Sequence, residues 1–192
     1  MLFRSVGEFI ALARSKPGIM TYASGGNGSV QHLATEIFKA MTGTDLVHIP
    51  YKGSMQATLD AVSGRVDAGF QGISTVLQFV QSGKLRMLGI SAPRRLGGAL
   101  ANTPTLKENN LDVVLANWQG VFGPPKLNAA QIAYWDGFYT RLVATDEWKR
   151  DQEQNLWETD HLNSADYARF LKSDFERAKA VFIELGLARK DL

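Results

Sequence analysis

The chain has 192 residues, 45% hydrophobic and 21% charged, with 21 Lys and Arg against 19 Asp and Glu and a formal net charge of +2. That length suits one ordinary domain or two small lobes, and the composition is that of a globular protein able to bury a core. The absence of cysteine excludes disulfides and thiolate metal sites, the lack of any Lys/Arg block argues against a nucleic-acid surface, and no apolar run approaches the ~18 residues a membrane-spanning helix needs.

The N-terminal stretch MLFRSVGEFIALARS is too short and too polar in its middle for a signal peptide, so the chain as given is expected to stay in the cytoplasm. It reads as a helix with Val6, Phe9, Ile10 and Ala13 on one face, ended by Lys16-Pro17-Gly18. IMTYAS (19–24) follows as a strand, and Val30, Leu33, Ile37 and Met41 mark a helix closed by Thr42-Gly43. LVHIP (46–50) is a second strand, and Met55, Leu59 and Val62 stripe a helix ended by Gly64. VDAGF (66–70), a helix carrying Leu77 and Val80, and KLRMLGI (84–90) continue the alternation. Strand and helix at this spacing predict an α/β fold with a mostly parallel sheet. After the irregular segment 91–104, DVVLANW (112–118) reads as one more strand, and the remainder is helical over 129–143, 146–154 and 164–185, with strand-like NLWET before the last helix. The reading therefore divides the chain into an α/β ligand-binding lobe, 6–117, and a C-terminal helical segment, 118–192.

Between the first strand and its helix lies Ser24-Gly25-Gly26-Asn27-Gly28-Ser29. A glycine-rich turn at the carboxyl end of a parallel strand exposes backbone N–H groups, and the next helix aims the positive end of its dipole at the same spot. Phosphate or carboxylate fits such a place. Ser24 and Ser29 can add hydroxyl donors, with Ser29 the natural N-cap. The elbow lacks the lysine of a P-loop and the third glycine of a dinucleotide fingerprint, Gln31 standing in the latter's place. A tight turn that needs glycine angles and binds nothing remains the competing reading.

Residues for catalysis are scarce. His32, His48 and His161 show no metal-ligand spacing, and neither a nucleophile elbow nor an acid/base pair is present. His32 falls in the first helical turn beside the elbow, where it either donates to a bound carboxylate or caps the helix. His48 reads as a satisfied sheet residue. Binding without enzymatic chemistry, and without cofactor or metal, is the expectation.

The segment SKPGIMTYASGGNGSVQHLATEIFKAMTGTDLVHIPYKGS closely resembles the second lobe of tripartite tricarboxylate transporter substrate-binding proteins, the TctC or Bug-type extracytoplasmic receptors. VSGRVDAGFQGISTVLQFVQSGKLRMLGIS, PTLKENNLDVVLANWQGVFGPP and NLWETDHLNSADYARFLKSDFERAKAVFIELGLA resemble later parts of the same family in the same order. The resemblance implies a type II periplasmic-binding-protein fold and capture of a small carboxylate for membrane transporter subunits. It implies a periplasmic location, with no nucleic-acid partner. It assigns Ser24, Gly25, Gly26, Asn27, Gly28, Ser29 and His32 to the ligand, with Gln71, Gly72 and Ser74 as a second wall. Lys52 in Tyr51-Lys52-Gly53 adds positive potential or is simply solvated. Gln119 stands where relatives of the citrate-like branch often carry Arg. The first lobe is incomplete on this reading, the chain being N-terminally truncated within the family pattern. The chain alone is then expected to bind carboxylates weakly or not at all, and Phe138, Trp148 and Trp157 to be exposed or covered by a partner, with self-association one route. Two other classes stand beside the receptor: a cytosolic ligand-sensing domain of the same bilobal fold, and a phosphate-binding α/β enzyme using Asp45, Asp67 or His48 as base.

Overall fold

Ser5 accepts a hydrogen bond from the Glu8 N–H through its hydroxyl, the side-chain cap that starts helix α1, Val6–Ser15. The computed structural model describes residues 3–184 apart from 116 and 159, together with residue 186. Strand β1 (Thr21–Ser24) leads to helix α2 (Val30–Thr42), β2 (Val47–Pro50) to α3 (Ser54–Ser63), and β3 (Ala68–Gly69) to α4 (Ile73–Gln81). The strands form one parallel sheet in the order β2-β1-β3, with Tyr22 opposite both His48 and Ala68. β1 is therefore central, and the parallel pairing requires each connection to cross over through a helix. Gly43 and Gly64 close α2 and α3 in the left-handed conformation, where glycine pays no Cβ penalty.

The core lies on the α1 and α2 side of the sheet: Val6, Phe9 and Ala13 pack with Met20, Tyr22, Phe38 and Leu46, and with Leu106, Leu111 and Val113 from the later loops. A smaller cluster joins Ala23, Ala57 and Val66.

Four strand expectations change. The third strand is two residues long instead of five, because the Asp67 carboxylate takes the Thr21 N–H at 2.8 Å and its hydroxyl at 3.0 Å, filling a place the ladder would use. KLRMLGI and DVVLANW form no named strand. Ile90 makes one parallel bridge with Thr105, and Leu115 donates to the Ser91 carbonyl, so these segments are tied singly instead of laddered. Ala116 within the second segment lies outside the described residues. NLWET is no strand over 155–158: Asn155 ends a helix and Leu156 caps it in the left-handed region, while Thr159 lies outside the described residues.

The chain divides into two compact units, one running to Trp118 and one starting at Gln119. The second contains α5 (Ala129–Val143), α6 (Asp146–Asn155) and α7 (Ser164–Glu184). Leu185, the last residue of the expected final helix, lies outside the described residues. Asn128 and Gln131 make a reciprocal capping box on α5, and Asp136 accepts from both the N–H and the hydroxyl of Ser164 at the start of α7. No helix is long and apolar enough to cross a membrane among the described residues.

Candidate functional site: an anion elbow backed by stacked histidines

All three strands end on one edge of the sheet, and α2, α3 and α4 all begin there. The elbow after the central strand is therefore flanked by the other two strand-to-helix turns. A Cβ at Gly25 would lie 3.0 Å from Ser54 Oγ and 3.3 Å from Ser54 N, and one at Gly26 would lie 3.3 Å from the Tyr51 carbonyl. The missing side chains let the elbow sit directly on the first turn of α3. Gln31 Nε2 closes the seam with a 3.3 Å hydrogen bond to Ser54 Oγ.

The helix starts differ in how their donors are used. Ser29 caps α2 by accepting from His32 N at 3.2 Å, but Gly53 and Gly72 begin α3 and α4 with no side-chain cap. Uncapped N–H groups with a dipole behind them are what an anion seeks. Within the elbow, Gly26 N donates to Ser24 Oγ at 3.2 Å, Gly28 N donates to His32 Nδ1 at 3.1 Å and Ser29 N donates to the Gly26 carbonyl. That leaves the N–H groups of Gly25, Asn27, Val30 and Gln31 without an internal acceptor among the described residues.

The structure thus brings Ser24 through Ser29 and His32 together and sorts them. Ser24 is 0% exposed, and its hydroxyl, bonded within the turn and to His48 Nε2 at 2.7 Å, pins the elbow. Asn27 and Gly28 are exposed. Gln71, Gly72 and Ser74 lie at the start of α4 on the same edge. Both polar atoms of the Gln71 amide are buried without a hydrogen-bond partner, and Nε2 lies 3.3 Å from where a Gly69 Cβ would be. Asn117 reaches the same corner, its Nδ2 3.8 Å from a Cβ at Gly72.

Behind the elbow is a group of residues that sequence reasoning missed. The His32 and His48 rings stack at 4.1 Å and 10°, and His48 stacks on Tyr22 at 4.7 Å and 13°. Tyr22 Oη donates to Glu36 Oε1 at 2.6 Å, and Lys39 Nζ meets the same oxygen at 2.9 Å. The signal was present: His32, Glu36 and Lys39 recur at helical spacing on one face of α2, and Tyr22 and His48 each stand two residues before a strand end. Burial lowers the pKa of both imidazoles, partly offset by Glu36, with Lys39 acting in the same sense as burial. Glu36 is held below the ordinary carboxylate range by its bonds to Tyr22 and Lys39 against an opposing burial effect, and the Tyr22 hydroxyl is pushed up by burial and by Glu36.

Of the acids considered as catalytic bases, Asp45 and Asp67 precede their strands and sit at the opposite, amino edge of the sheet. No cluster of three potential metal ligands occurs among the described residues.

Comparison with known proteins agrees with this architecture. The TctC pattern, described as the tripartite tricarboxylate transporter family receptor, matches residues 2–187. The protein BugT of Bordetella pertussis is 36% identical over 121 residues, covering 62% of this chain and 37% of its own length. Among solved structures, R. palustris Rpa4515 with adipate superposes with a TM-score of 0.91 at 25% identity, over 97% of this chain and 62% of that one. The periplasmic binding protein BugD superposes at 0.85 and 18% identity, over 99% and 64%, and shows the shared fold. The chain spans about half the length of the curated relatives it matches from end to end, 56% and 55% in two cases. With a pattern that runs through both units and an α/β architecture of the periplasmic-binding-protein type, the chain belongs to the tripartite tricarboxylate transporter receptor family.

Proposed function

We propose that this chain captures a small carboxylate, of the di- or tricarboxylate type, at the elbow between β1 and α2, as part of a periplasmic solute receptor that delivers it to the membrane subunits of a tripartite tricarboxylate transporter. One observation carries the reading: three helix N-termini converge on the edge that holds the elbow, two of them with no side-chain cap. The free N–H groups of Asn27, Val30 and Gln31 provide donors for one carboxylate, and the helix dipoles favour its charge. The structural likeness to Rpa4515, whose structure holds adipate, supports a carboxylate over a phosphate. The role is binding without catalysis, in keeping with a receptor family. Exposed aromatic residues of the second unit, Trp135 and Phe138 among them, favour self-association of the isolated chain.

Calorimetric titration with citrate, succinate, glutamate, nicotinate, terephthalate and adipate tests this. The doubly substituted elbow Ser29→Ala with Gly26→Val, whose Cβ would press on the Tyr51 carbonyl, serves as control. Weak binding of at least one carboxylate that the control loses supports the proposal; silence across the panel, or binding that the control retains, refutes it.

A further inference from the structure

Gly28 N–H is the one elbow amide tied to a titratable side chain. Because it donates to His32 Nδ1 at 3.1 Å, the neutral imidazole carries its own proton on Nε2 and acts as an acceptor toward the elbow. In this state His32 Nδ1, the ring atom that faces the elbow amide, offers nothing to an anion and keeps one amide from it. Adding a proton at Nδ1 reverses both roles: the ring becomes a donor, and Gly28 N–H loses its acceptor and is released.

We infer that His32 is a proton-operated latch on the elbow, and that carboxylate capture there takes up a proton. The inference rests on the carboxylate reading of the site. An anion bound by the Asn27 and Val30 amides lies in the same turn as the imidazole and favours its charged form, so proton and anion must help each other bind. His48 limits the uptake to one. With its ring stacked at 4.1 Å on His32, a second cation would be strongly repelled, so the pair titrates as a unit and accepts a single proton. His48 Nε2, bonded to Ser24 Oγ at 2.7 Å, also couples the far end of the elbow to that unit.

The charged and titratable groups around the pair are few. From α2 come Glu36 and Lys39, joined at 2.9 Å so that their charges largely offset each other; from β1 comes Tyr22, stacked on His48 and donating to Glu36; from β2 comes His48 itself. With Glu36 already engaged by Tyr22 and Lys39, the new charge on His32 is answered by the ligand. Burial, which keeps both imidazoles neutral near pH 7, sets the latch closed until an anion arrives.

Calorimetric titration of the full chain with adipate between about pH 7.5 and 6.5, run in PIPES and in imidazole buffer, measures affinity and proton uptake together. The expected result is tighter binding as pH falls, up to about tenfold per pH unit, with up to about one proton taken up per adipate. His32→Asn is the matched variant, since Asn Oδ1 can still accept from Gly28 N–H but cannot be protonated; it should bind with no pH slope. Flat affinity with no proton uptake in the native chain, weaker binding at lower pH, or an unchanged slope in His32→Asn would overturn the latch. If adipate does not bind at all, the carboxylate reading fails while the latch is still decided by NMR without ligand. The Gly28 amide resonance should then move in step with His32 protonation, and an amide that stays fixed while His32 titrates removes the proposal.

Discussion

The two units of the chain use apolar residues in opposite ways. In the first, helix faces meet a sheet and disappear: Phe9, Tyr22 and Phe38 are almost wholly buried around it. In the second, none of the apolar side chains described is fully buried, and Val121, Phe122, Tyr134 and Phe175 are more than half exposed. Yet helices of the second unit are no less well specified locally, with a capping box on α5, Thr145 capping α6 and Asp136 holding Ser164 at the start of α7. Local signals make a helix; a buried partner surface makes a core, and among the described residues only the first unit supplies one.

The sharpest way to break that contrast is truncation of one aromatic ring in each unit. Phe38→Ala, which removes a ring set 5.9 Å from Phe9 and 6.0 Å from Phe70, should cost about 3–5 kcal/mol in urea unfolding. Phe175→Ala at a position 62% exposed should stay within about 0.5 kcal/mol. Equal losses would mean that the second unit holds a core of its own.

A polar version of the comparison comes next. Tyr22→Phe deletes the hydroxyl that donates to Glu36 in the interior of the first unit, and a loss of about 1–2 kcal/mol is expected by the same assay. Asp136→Ala removes the exposed acceptor of Ser164 in the second, for about 0.5–1 kcal/mol. A larger loss from the exposed site would show that burial is not what separates the units.

Acid should act on the first unit through its histidines. The folded-state pKa values of His32 and His48 lie below the ordinary histidine value near 6.5, so the unfolded chain binds more protons than the native one in that range. Stability is complete above about pH 6.5 and declines as pH falls toward the folded-state values. His48→Phe, which keeps a ring in the stack, should flatten that slope in thermal unfolding from pH 7.5 to 5; a slope of undiminished size would place the acid sensitivity elsewhere. This is the smallest of the expected effects.

Much of the first unit was legible in the residues. Helical stripes ended by Gly43 and Gly64, and short strands between them, state a βα alternation, because glycine caps and period-3.6 patterns are local. The third strand was overestimated because the Asp67 carboxylate competes with the ladder, a contact with Thr21 across 46 positions that no local pattern contains. The same holds for the site. The elbow is a continuous string and stood out at once, whereas the Tyr22–His48–His32 stack depends on register between β1 and β2 and on the face α2 presents to them. Gly26 and Gly28 show the other limit: glycine marks where the backbone bends, but which N–H groups stay free for a ligand depends on Ser24 and His32 side chains.

The central claim, that the elbow amides between β1 and α2 hold the carboxylate, is tested most directly by following amide resonances of the chain while adipate is added to millimolar levels. The account predicts saturating shifts at Gly25, Asn27, Val30 and Gln31, joined by Ser54 and Ile73 at the neighbouring helix starts. Shifts confined to other surfaces, or none at these residues at any concentration, would contradict it.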